Sequence, residues 1–288
     1  MGRDVVALED VSFDVAAGEV MGIAGPNGAG KSSILALLLG FLQPTRGTLA
    51  IDGVEPRTFV ERYGISYVPE LMTLPTSWTV QGALTRLAVL SGITSPAVAS
   101  AVDGVIAALD IGEHRTKRLK TLSKGNLQRV GLAQALFSET RVVIFDEPTH
   151  GLDPVWTQKF REIVLRLKRS DRAIIIASHN LDELERLADR VVIVDRGRVQ
   201  RVVTVSAAPS GARAAYRMRA VSRVDALLAA FPGATLLASG EVDVPPVDAG
   251  ALNAGLASAI SGGAQLTSVV PRESALEQAF HAAVGAAR

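Results

Sequence analysis

The feature that most restricts the fold is a junction near the start of the chain. The apolar run Val20–Ala24 meets Gly25-Pro26-Asn27-Gly28-Ala29-Gly30, and the sequence continues through Lys31, Ser32 and Ser33 into a leucine-rich stretch. A buried strand, a tight glycine turn and a helix in immediate succession form half of a βαβ unit, which a parallel sheet must complete. The turn matches G-x-x-x-x-G-K-[ST], in which the glycines let the backbone curl closely around an anion. Successive backbone N–H groups and the helix N-terminus then offer partial positive charge to phosphate oxygens. In such a loop Lys31 reaches the β and γ phosphates and the Ser32 hydroxyl ligates Mg²⁺.

Further strands are expected at 141–145, 173–177 and 191–194, short β-branched runs separated by helical patterns at 154–167 and 181–188. Apolar strands alternating with helices predict an α/β fold, a mainly parallel sheet covered on both faces. Between 78 and 137 the strand pattern gives way to helical periodicity with breaks around Pro96 and Gly112, which predicts a helical subdomain. The segment Val142-Val-Ile-Phe-Asp146-Glu147-Pro148 delivers two carboxylates to the end of a buried strand, where a doubly wound sheet makes its ligand contacts. Asp146 suits Mg²⁺, and Glu147 is positioned to polarise an attacking water. Alone, the segment reads equally well as a strand ending in two solvated acids; the phosphate loop upstream favours the metal and base roles.

Composition narrows the remainder. Thirty basic and 29 acidic residues leave a net charge of +1, which excludes a broad polyanion-binding surface, and nucleic acid is not an expected partner. With no cysteine, thiol catalysis and thiolate metal sites are excluded. The start, Met1-Gly-Arg-Asp-Val5, does not read as a signal peptide, and the longest uncharged run, 249–271, is too rich in small and polar residues to read as a membrane span. Lysine stops at Lys168 and alanine rises to 23 of the 85 residues from Thr204 onward, so domains of 1–203 and 204–288 are expected. The second reads as strand 214–220, helix 224–231, strands 234–238 and 241–244, helix 249–260, strand 266–270 and helix 274–283. That is a βαββαβ order with an added helix, a small ferredoxin-like α+β accessory domain.

A third segment, Leu122-Ser123-Lys124-Gly125-Asn126-Leu127-Gln128-Arg129, resembles the signature sequence of ATP-binding cassette (ABC) ATPases, usually Leu-Ser-Gly-Gly-Gln. It lies between the phosphate loop and Asp146, as in that family. His179 resembles the family's switch histidine, and Thr149-His150-Gly151-Leu152-Asp153 is similar to the loop that crosses its dimer interface. The resemblance implies a phosphate-loop cassette with an antiparallel β subdomain and a helical subdomain, ATP and Mg²⁺ as cofactors, and Glu147, His179 and Lys31 as catalytic residues. It further implies that two copies, or this chain and a homologous cassette, stack head to tail. Each ATP is then shared between the loop from Gly25 to Ser33 of one and Ser123, Gly125, Asn126 and Asp153 of the other. An integral-membrane permease on a separate chain is the implied partner, reached through 78–137 and the loop around Glu70, at the cytoplasmic face of the membrane.

The chain departs from the family in three places. Glu70 stands where a glutamine usually touches Mg²⁺; as a candidate metal ligand it adds negative charge near the phosphates. Lys124 and Asn126 replace glycine and glutamine in the signature. The family's adenine-stacking aromatic has no clear counterpart: Phe13, the one aromatic before Gly25, reads as a core residue of a strand, which leaves either adenine held by apolar contacts or a chain that begins late relative to its relatives. The tail Ser274-Ala-Leu276-Glu277-Gln-Ala-Phe280, preceded by Glu273, is similar to the ending of cassettes serving ABC-2-type exporters, and equally reads as an amphipathic helix packing Leu276 and Phe280. A cassette that only regulates or moves a membrane partner remains an alternative. So does a nucleic-acid or translation ATPase, although those carry tandem cassettes, coiled-coil insertions or zinc modules that this sequence lacks.

Overall fold

The computed structural model describes residues 6–205, 214–272 and 274–285; the start at 1–5 and Glu273 of the tail motif lie outside the described residues. The chain divides into two compact units, residues 1–207 with 279–288, and residues 208–278.

The first unit is built on a six-stranded sheet of β1 (Val20–Ala24), β2 (Ser66–Val68), β3 (Val142–Asp146), β4 (Ala173–Ser178), β5 (Arg190–Asp195) and β6 (Arg198–Thr204), in the order β2-β3-β4-β1-β5-β6. The first five in that order run parallel, and β6 returns antiparallel to β5. The valines and isoleucines of the five parallel strands are buried on both faces because helices cover both sides. Around them run α1 (Lys31–Leu38), α2 (Pro56–Tyr63), α3 (Val80–Leu90), α4 (Ser95–Ala108), α5 (Lys124–Phe137), α6 (Pro154–Leu167) and α7 (Leu181–Leu187). Leu35 and Phe59 join Met21, Ile23, Ile144 and Val192 in one core cluster. Phe160 of α6 meets Phe145 of β3 edge-on, with ring centroids 5.3 Å apart.

Parallel pairing has one consequence for function. All five parallel strands finish at the same edge of the sheet: β1 runs into the phosphate loop, β2 towards Glu70, β3 into Glu147, β4 into His179 and β5 into Arg196. The helical subdomain expected at 78–137 corresponds to α3, α4 and α5, with two short 3₁₀ turns at Gly112–His114 and Leu119–Thr121 between α4 and α5. Pro96 sits in the first turn of α4, where its missing N–H costs nothing.

Sequence periodicity did not find β2, α2 or β6. Three residues are too few to show alternation, and most of β6 is exposed. Phe13 is a correction: residues 6–19 contain no assigned strand, and Phe13 packs half-buried against the core from an irregular segment.

The second unit contains β7 (Ala214–Ser222), α8 (Val224–Ala230), β8 (Thr235–Leu236), β9 (Val242–Val247), α9 (Ala249–Ser261) and β10 (Gln265–Pro271). Its sheet order is β10-β7-β9-β8, with every neighbouring pair antiparallel. Met218, Leu227, Phe231, Val242 and Val244 form its core, where a Cβ on Gly255 would lie 2.4 Å from the Phe231 ring. Helix α10 (Ala275–Gly285) follows, with Leu276 buried and Phe280 half-buried. Among the described residues no helix is long and apolar enough to cross a membrane.

Phe160 is fully buried, and Phe160→Ala is expected to lower stability by about 3–5 kcal/mol, the range for deleting a core aromatic. Urea denaturation of both proteins measures it; a loss below about 1 kcal/mol would show that the α6–β3 contact is not part of the core.

Candidate nucleotide site

The phosphate loop is shaped by what its glycines must avoid. A Cβ on Gly25 would lie 2.4 Å from the Val194 carbonyl oxygen of β5, so only glycine lets the loop leave β1 here. Gly30, at φ 109°, caps α1 with no side-chain hydrogen bond, and the first turn of α1 holds no acid. By contrast α3, α5, α6 and α7 are capped by the side chains of Thr79, Ser123, Asp153 and Asn180. The N–H groups opening α1 are thus left for an external acceptor, and a helix N-terminus favours an anionic one.

The loop borders a cavity of about 650 Å³ that is also lined by Lys31, Ser32, Ser33, Glu70, Asp146, Glu147 and His179. Pro26, Asn27, Gly28 and Gly30 face it as well, whereas Gly25 and Ala29 shape the turn from behind. Lys31, buried, donates from Nζ to the Gly25 carbonyl at 2.6 Å and lies 3.5 Å from Glu147 Oε1.

Glu147 is the most constrained side chain of the site. Its backbone is left-handed, φ 44°, an uncommon conformation for a residue with a Cβ. The N–H of Glu147 donates to the Ala177 carbonyl at 2.8 Å. Its carboxylate accepts from Ser178 Oγ at 3.2 Å, from the His179 N–H at 3.1 Å and from His179 Nδ1 at 2.8 Å. Facing a carboxylate, Nδ1 is the protonated nitrogen of His179, which leaves Nε2 unspent.

Asp146 is half-buried, and burial is the largest influence raising its carboxyl above the usual range, followed by the charge of Glu147; a hydrogen bond from Tyr67 opposes both. That bond spans 3.4 Å. Burial, the charge of Asp146 and this hydrogen bond together push the Tyr67 phenol up from 10.0 to about 12.

Ser123, Gly125, Asn126 and Asp153 do not line this cavity. Ser123 caps α5, accepting from the Asn126 N–H at 3.3 Å, and Asp153 caps α6 and pairs with Arg129 at 3.7 Å. The two segments touch: a Cβ on Gly125 would stand 3.1 Å from the Gly151 carbonyl.

Other features of the cavity wall escape sequence reasoning. His150 Nδ1 lies 2.7 Å from Glu70 Oε1, so the added negative charge of Glu70 has an imidazole beside it. Val6, Ala7, Arg196 and Gly197 close another side. The Gly197 N–H donates to the Ala29 carbonyl and its own carbonyl accepts from the Glu9 N–H, tying the β5–β6 turn to the loop. The turn dipeptide Arg196-Gly197 is visible in sequence, but its place beside the phosphate loop comes from the β1–β5 pairing.

The residues suit a magnesium nucleotide. A hydroxyl and a carboxylate, Ser32 and Asp146, are the hard oxygen donors Mg²⁺ takes, and among the described residues no cluster of three or more acidic or histidine ligands exists to bind an ion unaided.

Two outcomes test this geometry. Gly25→Ala, forced against Val194, is expected to lower nucleotide affinity at least tenfold in fluorescent-nucleotide titration; retained affinity would mean that the loop has room it lacks here. Tyr67 stays protonated in the folded chain while an unfolded tyrosine ionises near 10, so its contribution to stability is whole below pH 10 and lost as pH rises towards 12. The alkaline absorbance titration of the native chain minus that of Tyr67→Phe isolates this group, and a midpoint near 10 would contradict the burial argument.

Comparison with known proteins identifies the family. Residues 8–150 match the family model described as ABC transporter. The chain is 32% identical to the ABC transporter ATP-binding protein NatA of Bacillus subtilis, over 68% of this chain and 80% of that protein. It is 33% identical to Nod factor export ATP-binding protein I of Bradyrhizobium diazoefficiens, covering 67% of this chain and 64% of the relative. An uncharacterized ABC transporter ATP-binding protein of Nostoc is 35% identical, and the matched region spans 60% of its length. Among solved structures, an ATP binding subunit of an ABC transporter superposes with TM-score 0.63 at 30% identity, over 69% of this chain and 84% of the other. A dimeric bacterial ABC transporter cassette has TM-score 0.65 at 21% identity, a likeness of fold, over 72% and 94%. The chain belongs to the ATP-binding proteins of the ABC transporter family.

Proposed function

We propose that the chain hydrolyses ATP in a head-to-tail pair of cassettes and thereby drives transport, as an exporter subunit, through a permease on a separate chain. The observation that carries this reading is the division of the site. The phosphate loop, Asp146, Glu147 and His179 line one cavity, whereas Ser123, Gly125 and Asn126 stand at the start of α5 outside it. A second copy turned by two-fold symmetry would bring its α5 N-terminus to the open side of the cavity, where its dipole favours the γ phosphate.

In that assembly Lys31 holds the β and γ phosphates. Glu147, fixed by Ser178 and His179, accepts a proton from the attacking water. His179 keeps Nε2 for the γ phosphate because its Nδ1 is committed to Glu147. Ser32 and Asp146, with Glu70 beside them, would hold Mg²⁺, which when bound neutralises charge on the phosphate oxygens.

The exposed Leu71, Val89 and Leu90 support a docking face for the permease near Glu70 and α3. In this reading the chain works at the cytoplasmic face of a membrane. Residues 204–288 serve as an accessory domain that aids dimerisation or regulation. The export direction rests on the tail's likeness to exporter cassettes and on the Nod factor export relative.

Glu147→Gln, which removes the base and keeps the shape, is expected to accumulate an ATP-bound dimer in light scattering with hydrolysis reduced at least a hundredfold. A variant that binds ATP and stays monomeric at all concentrations would contradict the paired mechanism.

A further inference from the structure

Beside the signature segment stands a histidine that no motif includes. His114 closes the 3₁₀ turn Gly112–His114, and its side chain is only 12% exposed. Three polar groups surround its ring. Lys117 Nζ lies 3.1 Å from Nδ1, Glu113 Oε1 lies 3.2 Å from Nε2, and the Asn126 amide lies 2.8 Å from Nε2 at its Nδ2 end.

These contacts determine where the ring proton sits. An ammonium group has donors and no acceptor, so Lys117 requires Nδ1 to be the unprotonated nitrogen. The ring proton is then on Nε2, where the Glu113 carboxylate, an acceptor, agrees with it. An Asn126 NH₂ held 2.8 Å from that N–H would set donor against donor. The two ends of an amide have the same shape, and turning it by 180° puts Oδ1 towards the ring. Nε2–H then donates to Oδ1, and the NH₂ of Asn126 faces away from His114.

We infer that His114 is a positioning residue that fixes the Asn126 amide with its NH₂ outward, as a donor to the nucleotide held by the second copy. The inference rests on the paired reading proposed above. The signature asparagine is shorter than the family's usual glutamine, and a short side chain locked in one orientation serves as a donor without first losing rotational freedom. Lys117 acts one step further back by selecting the tautomer. No charge change is needed, and neither His114 nor Lys117 lines the phosphate-loop cavity.

The test separates capture by the second copy from binding by the first. In the Glu147→Gln background, His114→Leu is expected to raise the dissociation constant of the ATP-bound dimer about tenfold, the effect of weakening one hydrogen bond at each of two sites. Nucleotide affinity of the monomer, measured below the dimerisation range, stays within twofold. His114→Gln, whose amide N–H can donate to the same oxygen, restores dimerisation. Lys117→Met, an exposed change that leaves folding intact, gives a smaller loss of about threefold.

Nitrogen NMR of the imidazoles adds a direct reading, since the chain has only four histidines and His114→Gln assigns the signal. The expected form carries its proton on Nε2. Unchanged dimerisation in His114→Leu, or a proton on Nδ1, overturns the inference and leaves the paired mechanism standing. Failure of Glu147→Gln itself to dimerise removes both.

Discussion

The parallel pairing of β3, β4, β1 and β5 is the constraint on which the site depends. Antiparallel neighbours would send alternate strand ends to opposite edges of the sheet. Parallel ones deliver Glu147, His179, the phosphate loop and Arg196 to one edge from stretches far apart in sequence. The same pairing sets the distance between β1 and β5, and the Val194 carbonyl of β5 is what forbids a side chain at Gly25. Sheet geometry and loop chemistry are thus one requirement. A parallel sheet must bury both faces, which explains the long apolar runs, and its strand ends are where unsatisfied polar groups collect.

At that edge the electrostatics are arranged around opposing needs. Lys31 and the uncapped N-terminus of α1 favour anions, while Asp146, Glu147 and Glu70 add three carboxylates around one cavity. Local partners make this tolerable. Glu147 is held by Ser178, His179 and Lys31, Glu70 by His150, and Asp146 by the Tyr67 phenol, whose own pKa is raised by burial first and by the Asp146 carboxylate second. With its left-handed backbone, Glu147 meets the end of β4 through its carboxylate, which accepts from Ser178 and His179. Magnesium nucleotide chemistry suits such a balance, because a cation and a polyanion enter together.

Much of this was legible in the residues. The strands legible in the sequence, β1, β3, β4 and β5, are those whose burial on both faces demands continuous apolar runs. The second unit was readable despite its alanines because turn residues separate its strands and helices. Of the cavity lining, Pro26, Asn27, Gly28, Gly30, Lys31, Ser32, Ser33, Asp146 and Glu147 stand in fixed-spacing motifs legible in the sequence, since close approach to an anion restricts residue type at each position. What escaped depends on tertiary placement: His150 gains its role by meeting Glu70 across 80 positions, and Arg196 by the β1–β5 pairing. His114 carries no sequence signal, and only its three neighbours give it meaning. Phe13 was misread because apolar alternation before Val20 resembles a strand, although the segment packs on the core without a ladder.

The central claim is that one copy of the chain holds half of a nucleotide site. The most direct measurement is a structure of the native chain with Mg²⁺ and a non-hydrolysable ATP analogue. The account predicts two copies related by two-fold symmetry, each γ phosphate lying between Lys31 of one and Ser123 and Asn126 of the other. A nucleotide enclosed by a single copy, with Ser123 and Asn126 of every copy remote from phosphate, would contradict it.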